Sequence, residues 1–226
     1  MIAWLAKIQE LRFRTAVTFV VGENGSGKST LIEAVAIGAG FNPEGGSRNF
    51  KFATRSSESE LGGKITLGWG TAKPRTGYFL RAESYYNVAT EIERLDKISG
   101  RPLLPAYGGI SPHERSHGES FLDLVIHRFD RDGLYLLDEP EAALSVRGCM
   151  ALLARLAELV DQNCQLLIAT HSPVLLALPG ATILQISEDG SMSEVCYDDA
   201  LPVQLTRAFL SEPQRMLRLL IDGTPQ

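Results

Sequence analysis

Val17-Thr18-Phe19-Val20-Val21-Gly22-Glu23-Asn24-Gly25-Ser26-Gly27-Lys28-Ser29-Thr30 is the stretch whose reading decides the fold. Its first five residues are mostly β-branched or aromatic and predict a short buried strand. Three glycines follow, at 22, 25 and 27. Without side chains there, the backbone can curl until several N–H groups point inward at one anion. A helix is expected to open near Lys28, to run through Leu31, Ile32, Val35 and Ala36, and to stop at Gly38 and Gly40. Its N-terminal dipole would aim at the same anion. Gly22, Glu23, Asn24, Gly25, Ser26, Gly27, Lys28, Ser29 and Thr30 together form a candidate phosphate cradle. Lys28 would supply a cation to the β- and γ-phosphates of a nucleotide, and the Ser29 hydroxyl would ligate Mg²⁺.

The chain around this cradle has 226 residues, enough for one sizeable α/β domain. Lys and Arg number 22 against 27 Asp and Glu, a formal charge of -5, so a protein built mainly to grip a phosphate backbone is not favoured. Cys149, Cys164 and Cys196 lack zinc-ligand spacing and read as reduced thiols. No apolar run is long enough to span a bilayer, and Met1–Glu10 lacks a signal-peptide core. The expectation is a cytoplasmic protein whose link to a membrane, if any, runs through a partner.

Further along, strands are expected over Lys64–Trp69, Gly77–Leu80, Leu134–Leu137, Gln165–Ala169 and Thr182–Ile186. Glu188–Ser191 reads as a hairpin turn into Met192–Tyr197. Helices are expected over Tyr85–Ile98, from near Gly118 through Phe129, and over 145–161, with two short ones closing the chain. In the 145–161 helix, Val146, Met150, Leu153, Leu156 and Val160 mark the apolar face. Residues 41–63 are poor in aliphatics and read as a surface loop in which Arg48, Lys51 and Arg55 form a solvated basic cluster. Strands alternating with helices predict a mainly parallel sheet flanked by helices.

Three more segments carry chemistry. Leu134-Tyr135-Leu136-Leu137-Asp138-Glu139 delivers two carboxylates at the C-terminal end of a buried strand, where open α/β sheets place ligands. Asp138 can hold Mg²⁺ through water, and Glu139 can polarise an attacking water. Ser116-His117-Gly118-Glu119-Ser120 precedes a helix; it reads either as a capping box of Ser116 with Glu119 or as a phosphate-binding helix start. His171 follows the strand Gln165–Ala169 and can reach a phosphate oxygen or cap the next helix.

Taken in this order, the four motifs resemble those of an ABC-type ATPase domain, a P-loop NTPase, over about Val17 to Ile186. Ser116, His117, Gly118, Glu119 and Ser120 look like that family's Ser-Gly-Gly-Gln signature, and Glu141–Ser145 like its D-loop. The form resembles small stand-alone bacterial-type ATPases of the superfamily. The resemblance implies one domain over 1–226, with a small helical lobe at about 84–130 carrying the signature. It also implies ATP as the nucleotide, Glu139 and His171 as catalytic residues, Ser29 and Asp138 as metal-binding residues, and Ser116–Glu119 as the segment that contacts ATP held by a second subunit.

Departures are visible too. Arg81 or Glu83 stands where the family carries a loop glutamine, Arg115 replaces an apolar residue ahead of the signature, and Trp4 could supply a ring to the base. The leading expectation is an ATP-hydrolysing, nucleotide-dependent homodimer acting on an unknown protein partner. A small-molecule kinase with Arg101 and Arg115 in a lid, the ATPase subunit of a membrane transporter, and a nucleotide-gated module with negligible turnover are the alternatives.

Overall fold

A computed structural model describes residues 10–48, 63, 65–70, 73–83, 85–98, 104–107, 109, 114 and 116–222. Six strands form one sheet: β1 (Val17–Gly22), β2 (Thr76–Arg81), β3 (Gly133–Asp138), β4 (Gln165–Ala169), β5 (Thr182–Ile186) and β6 (Met192–Val195). Their spatial order is β2-β3-β4-β1-β5-β6. The β2–β3, β3–β4, β4–β1 and β1–β5 pairs are parallel, and β6 returns antiparallel to β5 through the expected hairpin.

Alternation along each strand sends side chains to two faces. Phe19, Leu80, Tyr135, Leu137, Leu166 and Ile168 join one buried cluster, which also takes residues of α2 (Tyr85–Ile98), α3 (His117–Arg128), α4 (Val146–Asp161) and the single turn α5 (Pro173–Leu176). Val20, Phe79, Leu136, Leu167 and Ala169 face the other way and pack on Leu31, Ile32, Val35 and Ala36 of α1 (Lys28–Gly38). The chain closes with α6 (Leu201–Ser211) and α7 (Pro213–Asp222). Burying each large strand side chain contributes roughly 1.5–3 kcal/mol of transfer free energy, so the sheet is the rigid platform.

Several expectations change here. Residues 65–70 form no strand, although Ile65, Leu67 and Trp69 alternate inward and pack on the α1 face; Lys64 lies outside the described residues. The inward alternation produced the strand signal, but no partner ladder accompanies it. The loop from residue 41 is not wholly on the surface. Phe41 is buried, and Gly46 exchanges backbone hydrogen bonds with Phe79 of the edge strand β2. Arg48 stacks over the Phe41 ring, while Lys51 and Arg55 lie outside the described residues. On α4 the buried side is Cys149, Leu152, Leu156 and Leu159, leaving Val146 and Met150 exposed. The strand of the hairpin ends at Val195, and Tyr197–Asp199 is a 3-10 turn.

Candidate active site

β1, β4 and β3 end side by side, and each delivers one part of the site. The turn after β1 is Gly22–Gly27, where Gly25 and Gly27 have φ of 80° and 97°, a region that favours glycine. A Cβ on Gly22 would lie 2.8 Å from Ser26 Oγ and 2.9 Å from the Ile186 carbonyl oxygen, so only glycine fits. Gly27 caps α1 in the left-handed conformation with no side-chain hydrogen bond. Gly27 thus brings no side chain of its own to the first helical N–H groups, which is the arrangement of an anion site. Lys28 is 3% exposed, and its Nζ donates to the carbonyl oxygens of Gly22 (2.9 Å) and Glu23 (3.1 Å). Burial pushes its pKa down, opposed by Glu139, Asp138, Glu23 and Glu141.

Asp138 is the last residue of β3 and is 6% exposed. Burial pushes its pKa up to about 6, against the pull of Arg81 and a hydrogen bond with the Ser29 side chain. Its Oδ1 is buried without a hydrogen-bond partner. A hydroxyl and a carboxylate in contact, with one carboxylate oxygen held unpaired in the interior, make a donor set suited to Mg²⁺ together with its waters and a phosphate. Among the described residues no three His, Cys, Asp or Glu side chains cluster as a protein-only metal cage. The pair Ser29 and Asp138 therefore fits a metal that shares its shell with the nucleotide.

Glu139 takes φ 50° and ψ 53°, a left-handed conformation uncommon for a non-glycine residue. Pro140 then opens a 3-10 turn, Pro140–Ala143, and the Glu139 N–H donates to the Ala169 carbonyl oxygen at 2.9 Å. These ties hold the Glu139 side chain at the strand end, 3.6 Å from Nε2 of His171. His171 follows β4, and its backbone N–H donates to Glu141 Oε1. Its Nε2 is buried without a hydrogen-bond partner. Lys28, Ser29, Asp138, Glu139 and His171, widely spaced in sequence, thus converge at one end of the sheet.

Ser116 forms the capping box. Its Oγ donates to Glu119 Oε2 at 2.7 Å and accepts from the Glu119 N–H at 3.3 Å, while the Ser116 N–H donates to Glu119 Oε2 at 3.2 Å. Ser116, His117 and Glu119 are exposed. A Cβ on Gly118 would lie 2.9 Å from the Ala143 carbonyl oxygen, so this helix start rests directly on the turn that follows Glu139. Trp4, Arg101, His113 and Arg115 lie outside the described residues. His127 is exposed, as expected of a helix-surface residue, with Nδ1 against the Asp123 carbonyl oxygen.

Two contributors escaped the sequence reading. Glu33, 9% exposed on α1, accepts a hydrogen bond from Arg81 Nη1 at 3.0 Å. It stands four residues after Ser29, on the same helix face, and that spacing was the available signal. Glu141 was read as part of the D-loop, but its tie to the His171 N–H needed the tertiary structure.

The glycine turn feeding a helix, the acidic strand end and the mainly parallel sheet have the arrangement of the P-loop NTPase fold. Two family models agree: "AAA domain" matches residues 4–99, and "AAA domain, putative AbiEii toxin, Type IV TA system" matches residues 105–177. The DNA replication and repair protein RecF of Rickettsia massiliae (strain Mtu5) is 28% identical over 148 residues, covering 62% of this chain and 40% of that protein. RecF of Rickettsia bellii (strain RML369-C) is 26% identical over 148 residues, with the same coverage of 62% and 40%. The chain thus matches less than half the length of these curated relatives. Among solved structures, the SMC head domain from Thermotoga maritima aligns over 79% of this chain and 89% of that one, at 15% identity and TM-score 0.40. A bacterial ABC transporter cassette, solved as a dimer, aligns over 82% and 88%, at 16% identity and TM-score 0.44. No helix among the described residues is long and apolar enough to cross a membrane.

Proposed function

We propose that this chain binds and hydrolyses ATP as an ABC-type ATPase, and that two copies close head-to-tail around two nucleotides. The observation that carries this reading is the convergence of Lys28, Ser29, Asp138, Glu139 and His171 at three adjacent strand ends. In one copy, the N–H groups of Gly22–Thr30 and the Lys28 ammonium bind the triphosphate. Ser29 and Asp138 would hold Mg²⁺, which when bound neutralises phosphate charge. Glu139 orients the attacking water and accepts its proton, and His171 contacts the γ-phosphate beside it. Ser116, His117, Gly118 and Glu119 of the second copy complete the site. An uncapped helix start holds one half, whereas the signature half is exposed and closed on its own box, which suits a late-arriving partner.

The 84–130 segment is the lobe that carries the signature, and closure of the dimer would move it and drive a change in a partner protein. Because the match to RecF proteins reaches only 40% of their length, the ATPase cycle is what carries over as a proposal, and the acidic charge of -5 leaves nucleic acid outside it. A cytoplasmic location follows from the same reading. The decisive measurement is on Glu139→Gln. It should bind ATP with Mg²⁺, lose turnover by about 10²–10⁴-fold as expected for loss of a general base, and accumulate as a dimer on a sizing column. Turnover at the parent rate would remove Glu139 from this role.

A further inference from the structure

Arg81 ends β2 in direct register with Asp138 of β3. Its guanidinium faces three carboxylates: Nη1 lies 3.0 Å from Glu33 Oε2, Nε 3.4 Å from Asp138 Oδ2, and Nη2 3.9 Å from Glu83 Oε2. Only the contact with Glu33 is a hydrogen bond; the Nε has no hydrogen-bond partner although it is buried. The grip on Glu33 is therefore firm, and the approach to Asp138 is an ion-pair contact without hydrogen-bond geometry. Glu83 is 87% exposed and sits on the turn that leads from β2 into α2. That turn is tied back to the same carboxylate residue, since the Ala82 N–H donates to the Asp138 carbonyl oxygen at 3.2 Å.

We propose that Arg81 is the resident counter-ion of the metal site. It offsets the charge of Asp138 in the nucleotide-free chain and withdraws toward Glu33 and Glu83 when a divalent cation arrives, so that the 82–83 turn registers loading. This inference rests on the reading of Ser29 and Asp138 as the metal-binding pair. The reason is electrostatic. A fixed cation 3.4 Å from an Asp138 oxygen and a divalent ion on the same carboxylate repel each other, at a site where burial limits screening by water. An uncharged glutamine at this place would leave the carboxylate unopposed. Arginine makes loading compete with an internal charge, and it keeps two other acceptors within reach for the moment of release.

The test uses Mn²⁺ as the probe, with the protein saturated by ADP and free Mn²⁺ read by its paramagnetic resonance. Arg81→Gln should bind Mn²⁺ about tenfold more tightly than the parent, because the competing cation is gone. Glu33→Gln should shift affinity the other way, since it removes the negative charge that draws Arg81 off Asp138. A purely structural role for Arg81 would weaken binding in both variants. Equal or weaker binding in Arg81→Gln overturns the proposal. Amide exchange on the parent protein gives a second readout that needs no variant: the Ala82 N–H should exchange faster with ADP and Mn²⁺ than with ADP and a chelator. Unchanged exchange also overturns it. If the parent takes up no Mn²⁺ with ADP at all, the metal-site reading itself fails; if the parent binds and Arg81→Gln matches it, only the present inference fails.

Discussion

The phosphate loop and the signature segment both place a helix start next to polar residues, yet the two ends are prepared in opposite ways. At α1 the cap is Gly27, which has no side chain to offer the first N–H groups, and a 3% exposed lysine is held by loop carbonyls. At α3 the cap is Ser116, Glu119 closes the box, and the residues are exposed. The first end bears the cost of an uncapped helix and a buried charge, which makes sense only if an anion repays it. The second end is complete without a ligand. One half of a site is poised to bind, and the other is stable while it waits.

The strongest way to break that contrast is Lys28→Ala. Truncating one member of a buried charged contact costs about 2–5 kcal/mol, so ATP affinity should fall by a factor of about 30 to several thousand. A fluorescent-nucleotide titration checks it, and a variant that binds ATP like the parent would show that the α1 end is not the primary half. The fold should survive, because the hydrogen bonds lost are those from Nζ to the Gly22 and Glu23 carbonyls.

A second effect concerns Asp138, whose folded pKa stands at about 6 against an ordinary 3.8. Between those values the folded chain retains a proton that the unfolded chain has released. Stability attributable to this group therefore falls as pH rises from about 4 to about 6, then stays level. The full difference is about 3 kcal/mol. Asp138→Asn removes the titration, so in metal-free buffer it should match the parent near pH 4 and exceed it above pH 6. Urea unfolding at several pH values measures this, and a constant offset between the two proteins would show that the carboxylate is not strained by burial. The buried half of the site would then be less costly than the contrast requires.

How much of this was written in the chain differs between the same two regions. Gly22–Thr30 was legible because its chemistry is local: a strand, three glycines, a lysine and a hydroxyl in unbroken order. Asp138 and Glu139 were legible because a buried strand must end somewhere, and parallel sheets bind ligands at that end. Ser116–Glu119 stayed ambiguous between a cap and a phosphate contact, because a capping box and an anion site use the same atoms. Glu33 went unread despite its spacing from Ser29, since a glutamate on a helix reads as solvent-facing until the helix is rolled onto a sheet. The α4 face was misjudged by one step for the same reason: both sets of apolar residues have helical spacing, and only packing selects Cys149 and Leu152 over Val146 and Met150.

The smallest expected effect is the most discriminating. Ser116→Ala removes an N-cap and should cost about 1 kcal/mol, a drop of about 2–4 °C in melting temperature for a chain of this size. ATP affinity of the separate chain should not change, because the phosphate loop is untouched. Turnover should nevertheless fall about tenfold, as expected when a helix-start contact to a phosphate is lost. Mixing supplies the deciding measurement. In a head-to-tail pair of Ser116→Ala with Lys28→Ala, one composite site carries both lesions and the other carries neither. The mixture should therefore hydrolyse ATP faster than either variant alone. If mixing restores nothing, the two halves belong to the same chain, and the difference between a poised end and a waiting end has another origin.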